Sequence, residues 1–167
     1  MNTKELIQIG MFSALLMILS PIAFPIGPIP ITLQSLIVGL ISTLSPTKKI
    51  AFFAILLYLL FGAVGLPVFA GGKAGLSVIF GITGGYLLTF LLFPFFINRE
   101  FPLFTNMFAG FMNLIFGSAF MTFILGNSTL EMFKAGIFPF IIPTIIKVII
   151  ISVIYKTYVS INKIKNN

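Results

Sequence analysis

Apolar positions along this chain gather into long runs with few polar residues inside them. Six stretches, at about Leu6–Ile22, Ile31–Leu44, Ile50–Leu66, Leu76–Ile97, Leu103–Leu125 and Ile137–Ser160, are separated by breaks that carry Pro, Gly or charge. A helix needs roughly 20 apolar residues to cross about 30 Å of hydrocarbon, so the pattern predicts six helices that cross a membrane on short connections. The second stretch, about 14 residues long, lies in the range where a shortened or re-entrant element also fits.

Composition removes the soluble alternative. The 167 residues are 59% hydrophobic and 8% charged, with a mean hydropathy of +1.18, more apolar surface than one soluble core of this size can hide. The expected fold class is an all-α integral membrane protein, a six-helix transmembrane bundle that takes residues 1–167 as a single domain. No A-x-A-like cleavage site follows the first stretch, which therefore reads as a retained helix.

The formal charge of +7 would suggest nucleic acid in a soluble protein, but the basic residues sit at the edges of apolar runs and read as topology anchors facing lipid headgroups; no nucleic-acid partner is expected. With six spans one side collects Lys4, Lys48, Lys49, Arg99, Lys156, Lys163 and Lys165, against Lys73 and Lys134 on the other. Without the second span the split is six to three, a poorer fit to the excess of cations on the cytoplasmic side. Both termini are thus expected to be cytoplasmic. Three loops then face outward, Pro21–Pro30, Pro67–Gly75 and Gly126–Gly136. The first reads PIAFPIGPIP and the second contains PVFAGGKAG. Both are too apolar to drift in water and predict a structured external cap.

The chain has no His, Cys, Asp or Trp, and its only carboxylate side chains are Glu5, Glu100 and Glu131, which lie far apart. General acid–base pairs, nucleophilic triads and metal sites draw on residues that are missing here, so binding or transport is favoured over catalysis, with no metal or cofactor expected.

One cation stands apart. Lys147 falls about nine residues into the last apolar run, where a charge costs about 2.5–3.5 kcal/mol and so should face the bundle interior. Thr144 shares its helical face. No carboxylate in the spans can pair with it, so an anionic ligand would supply the countercharge; the competing reading is a lysine that snorkels to the interface. Lys73, after Gly71 and Gly72, is either a second ligand contact or a plain loop lysine, and the surrounding glycines match no phosphate-binding pattern. Thr32 and Gln34, just past the proline-rich loop, offer donors and acceptors but could equally cap a helix. Asn113, a lone amide in the fifth stretch, is interhelical glue or a ligand contact. Gly10 and Ala14, with Ser13 alongside, form a small-xxx-small surface on the first helix where a partner could pack.

Three segments, PIPITLQSL (residues 28–36), LLYLLFGAVGLPVFAGGKAG (56–75) and GITGGYLL (81–88), resemble in order and spacing the signatures of the BioY family, the biotin-specific substrate-binding S components of energy-coupling factor (ECF) transporters. The resemblance spans nearly the whole chain. It implies a six-helix S component whose external loops close over one biotin molecule, and which assembles with a membrane T component and a pair of ABC-type ATPases. Small residues of the first helix, here Gly10 and Ala14, would pack against the T component. It also implies pocket roles for the loop around Lys73, for Tyr86, and for a Pro-Gly-Asp-x-x-Lys segment of the last helix. This chain reads Ile142-Pro143-Thr144-Ile145-Ile146-Lys147 there, with Thr144 where the family usually has Asp. A carboxylate would accept the ureido N–H groups of biotin more strongly than a hydroxyl does. A related vitamin, another small carboxylate, or a structural subunit with no ligand are the alternatives.

Overall fold

The first helix, α1 (Thr3–Leu19), opens on a reciprocal cap. Asn2 Oδ1 accepts from the Glu5 N–H at 2.9 Å while the Glu5 carboxylate accepts from the Asn2 N–H at 3.1 Å, which employs one of the chain's few carboxylates at a helix end. Two-residue strands follow, β1 (Ala23–Phe24) and β2 (Ile31–Thr32), paired antiparallel with Ala23 opposite Thr32. Then come α2 (Gln34–Leu44), α3 (Lys48–Ala63), a 3-10 turn at Ala70–Gly72, α4 (Leu76–Ile79), α5 (Gly84–Thr89), a second 3-10 turn at Phe90–Leu92, and α6 (Phe93–Phe96). The long α7 (Pro102–Leu125) is followed by a π turn at Phe133–Ile137, a 3-10 turn at Phe138–Phe140 and the final helix α8 (Ile141–Lys165). This computed structural model describes residues 1–25, 29–126, 128, 130 and 133–165.

Each apolar stretch maps onto one helix or one broken helix. α7 and α8, at 24 and 25 residues, reach about 36–38 Å at 1.5 Å per residue. At 11 residues, α2 covers only about 16 Å, the shortened form of the second stretch. The fourth stretch is interrupted twice. A Cβ at Gly81 would come within 2.6 Å of the Ser77 carbonyl, and one at Gly84 would strike the carbonyl of Ile79, so the chain turns between α4 and α5 where only glycine fits. Pro94 then cannot donate to the carbonyl four residues earlier, and the backbone tightens into the 3-10 turn that precedes α6.

Hydrogen bonds between loops fix which connections share an end of the bundle. The Gly71 N–H donates to the Pro21 carbonyl at 3.0 Å, Leu33 N–H to Ile22 at 3.2 Å, and Gly75 N–H to Gly62 at 2.7 Å. The hairpin and the glycine-rich loop therefore form one cap. At the opposite end Lys48 donates to the Phe95 carbonyl at 3.1 Å, and Arg99 donates to the carbonyls of Pro46, at 3.2 Å, and Ser45. Lys48 and Arg99 thus stand together at the end away from the cap, as the charge pattern predicts.

Two apolar clusters fill the interior. One centres on Leu16, Ile41, Ile55, Tyr58 and Phe69 from α1–α3 and the cap, the other on Tyr86, Leu114, Met121 and Phe140 from α5, α7 and the 3-10 turn before α8. The outer surface is equally apolar, with Phe104 80% and Phe123 83% exposed on α7, as expected of a bundle whose solvent is lipid.

Candidate functional site

A cavity opens along the seam between the two clusters. Phe69, Leu87, Phe90 and Phe93 wall it from the first, and Ile29, Leu114 and Phe140 from the second. Polar groups enter this apolar lining from five places: the β2–α2 junction, the glycine-rich loop, α5, α7 and α8.

Of the residues singled out from the sequence, Thr32, Gln34, Lys73, Tyr86, Asn113, Thr144 and Lys147 all line this cavity, although they span positions 32 to 147. Thr32 and Gln34 act as a unit. Thr32 Oγ1 caps the Gln34 N–H and donates to Gln34 Oε1, both at 3.3 Å, while Gln34 Nε2 donates to the buried Tyr58 hydroxyl at 2.5 Å. These two residues thus stand both at the start of α2 and in the cavity wall. Asn113 likewise does double duty, since its Nδ2 donates to the Tyr86 carbonyl at 2.8 Å and ties α7 to α5 while the residue faces the cavity.

Lys147 projects from α8 into the cavity and not toward lipid. Its Nζ donates to Ser35 Oγ on α2 at 2.9 Å. That partner is neutral, and no carboxylate from the described residues lines the site. Thr144, one turn earlier, packs so tightly on α7 that a Cβ at Gly110 would come within 2.7 Å of its methyl group. Its hydroxyl makes no hydrogen bond among the described residues. Lys73 is exposed at the mouth, placed by a turn in which Gly71 and Gly72 adopt φ of 69° and 72°, values that favour glycine.

Two expectations need correction, for Gly71 with Gly72 and for Ser13. Gly71 and Gly72 do not line the cavity; their role is the left-handed turn that brings Ala70 and Lys73 to its edge. Tyr86 stays in the cavity wall, with its hydroxyl accepting from Ser118 Oγ at 2.8 Å and donating to the Gly136 carbonyl at 2.9 Å. Ser13 is 1% exposed and buried against the bundle, off the face that Gly10 and Ala14 present outward. A Cβ at Gly10 would meet nothing within 4 Å, so that outer face is open.

Sequence reasoning missed Ser35 and Asn106. Ser35 directly follows Gln34 but carries no charge to draw notice. Asn106 lies seven residues, or two turns, before Asn113 on the same face of α7, a spacing that could have revealed it. It closes the deep end of the cavity, with Nδ2 donating to Thr43 Oγ1 at 3.0 Å and to the Pro102 carbonyl at 2.8 Å.

A chain with this architecture has well-defined relatives. The biotin transporter BioY2 of Lactococcus lactis subsp. cremoris (strain MG1363) is 39% identical, over 91% of this chain and 89% of its own length. The probable biotin transporter BioY of Pyrococcus horikoshii is 33% identical, over 88% of this chain and 91% of that protein. Among solved structures, the crystal structure of the S component for biotin from an ECF-type ABC transporter superposes with a TM-score of 0.78 at 25% identity, covering 96% of this chain and 95% of the other. The sequence pattern of the BioY family matches residues 1–163, and the chain belongs to that family.

Proposed function

We propose that this chain is the biotin-binding S component of an ECF-type transporter and imports the vitamin across a bacterial cell membrane, with both termini in the cytoplasm. The observation that carries the reading is Lys147: a cation within an apolar helix, turned into an apolar-walled cavity, whose described partner is a neutral hydroxyl. Biotin supplies a carboxylate for it, a ureido group for Thr32, Gln34, Asn113 and Thr144 to engage, and an apolar ring and chain to lie against the phenylalanine and leucine walls. Lys73 and the proline-rich hairpin close the mouth. Import is driven from outside the chain, by a T component that docks on the outward face of α1 at Gly10 and Ala14 and by a pair of ATPases; the chain itself carries out no chemical transformation and needs no cofactor.

The second reading keeps the fold and changes the cargo. It is favoured by Thr144, whose hydroxyl has no hydrogen-bond partner among the described residues and stands where a carboxylate would grip ureido N–H groups more firmly. Thermal unfolding of the purified subunit with biotin, desthiobiotin and other vitamins separates the two. At a ligand concentration of 100 times Kd the folded state gains about 2.7 kcal/mol. A midpoint raised by biotin supports the first reading; a midpoint unmoved by biotin but raised by another vitamin replaces it with the second.

A further inference from the structure

Ser35 stands in the first turn of α2 at the cavity wall, with its Oγ 2.9 Å from Lys147 Nζ. An ammonium carries three donors and no lone pair, so in this contact the serine oxygen accepts. Its own proton is left for another acceptor. At four other helical positions such protons are consumed locally: Ser42, Thr43, Thr89 and Thr122 each donate to the carbonyl four residues earlier, at 2.7, 2.7, 2.6 and 2.9 Å, whereas Ser13 and Ser152 lie buried without a partner among the described residues and away from the cavity. Ser35 has no such bond, because the residue four positions earlier is Ile31, in β2, before the helix begins. Among the described residues its hydroxyl finds no acceptor.

Granted the carboxylate-bearing cargo proposed above, we infer that Ser35 and Lys147 form a two-donor clamp for one anionic oxygen, built from α2 and α8 together. A carboxylate oxygen at about 2.8 Å from each donor closes a near-equilateral triangle on their observed 2.9 Å separation. It accepts one hydrogen bond from the ammonium and one from the serine O–H, while Ser35 keeps accepting from the lysine. A lysine alone is a point charge that tolerates many ligand orientations. The hydroxyl fixes where the oxygen sits, so Ser35 discriminates charged cargo from a neutral analogue of the same shape.

The test is equilibrium binding of biotin and of biotinol, its neutral alcohol, to the purified wild type, Ser35→Ala and Ser35→Thr. A hydrogen bond to a charged group predicts that Ser35→Ala weakens biotin about 10- to 100-fold, and changes biotinol by less than about threefold, a small fraction of one such bond. Ser35→Thr, which keeps the hydroxyl, should bind biotin within about threefold of wild type. The biotin-to-biotinol ratio is independent of how much of each preparation is folded; should Ser35→Ala not fold at all, Ser35→Cys, with a thiol that donates weakly, reads the same ratio. An unchanged ratio in a wild-type background that binds biotin overturns the clamp alone. A wild type that binds no biotin overturns the cargo reading, and the clamp with it.

Discussion

Replacing Lys147 by Met sets two effects of opposite sign against each other. Without ligand, the wild-type ammonium sits in an apolar helix at a cost of about 2.5–3.5 kcal/mol. Its one described bond, to Ser35 Oγ, returns about 1.5–3 kcal/mol as a hydrogen bond to a charged group. The balance leaves the empty methionine variant between about 0.5 kcal/mol less stable and about 2 kcal/mol more stable, a gain of up to about 4–8 °C in midpoint for a chain of this size. With ligand, truncating one partner of a desolvated charge pair costs about 2–5 kcal/mol, which is roughly 30- to several-thousand-fold in affinity. Differential scanning fluorimetry of the empty variant in detergent reads the first effect, and equilibrium binding of labelled biotin reads the second. A Lys147→Met protein that melts earlier when empty yet keeps its affinity would show the lysine to be a structural strut, and the capture mechanism would fall.

Three further substitutions probe the walls. A methyl group at Gly62 would run into the ring of Phe69, which is 1% exposed and lines the cavity; Gly62→Ala should therefore lower the empty midpoint by the equivalent of about 1–3 kcal/mol and weaken binding, both read by ligand-dependent melting. Tyr86→Phe deprives Ser118 and the Gly136 carbonyl of their partner, a loss of about 1–3 kcal/mol of stability by denaturant titration, with affinity retained because the hydroxyl's bonds are internal. Thr144→Asp should tighten biotin by about tenfold in equilibrium binding, since charge-assisted bonds to the ureido group are about twice as strong as neutral ones; weaker binding would mean that position 144 does not meet that group.

The sequence made the helices legible because lipid imposes one rule on every span, and the site legible where that rule is broken. Lys147 and Asn113 are conspicuous as polar groups in apolar runs, and both reach the cavity. Ser35 and Asn106 were harder to find. A serine in an apolar run usually returns its proton to its own helix, as Ser42 does, and only the position of the α2 start, which depends on the hairpin before it, exempts Ser35. The break in the fourth stretch was hidden for a similar reason. Gly81, Gly84 and Gly85 fit the close packing of a continuous helix as well as a turn, and the choice is made by contacts with Ser77, Ile79 and Phe120 that exist only once the chain has folded.

The position of the cavity follows from how the two apolar clusters are assembled. α1 packs on α3, and α7 packs on both α5 and α8, while α2 crosses from the first group to lie against α8. Each group can bury its own apolar surface, but two polar side chains along the seam, Thr144 and Lys147, are left short of partners among the described residues. Gln34 and Asn113 each satisfy a donor within their own group, on Tyr58 and on the Tyr86 carbonyl, whereas Lys147 and Thr144 find no carboxylate partner among the described residues. A cargo molecule with a polar group at each end would complete those bonds and connect α2, the glycine-rich loop, α5, α7 and α8 through itself. Binding then draws together elements that the apolar clusters hold only separately. The loop bearing Lys73 is tied to Pro21 and Gly62 by backbone bonds and so is held at the edge of that connection.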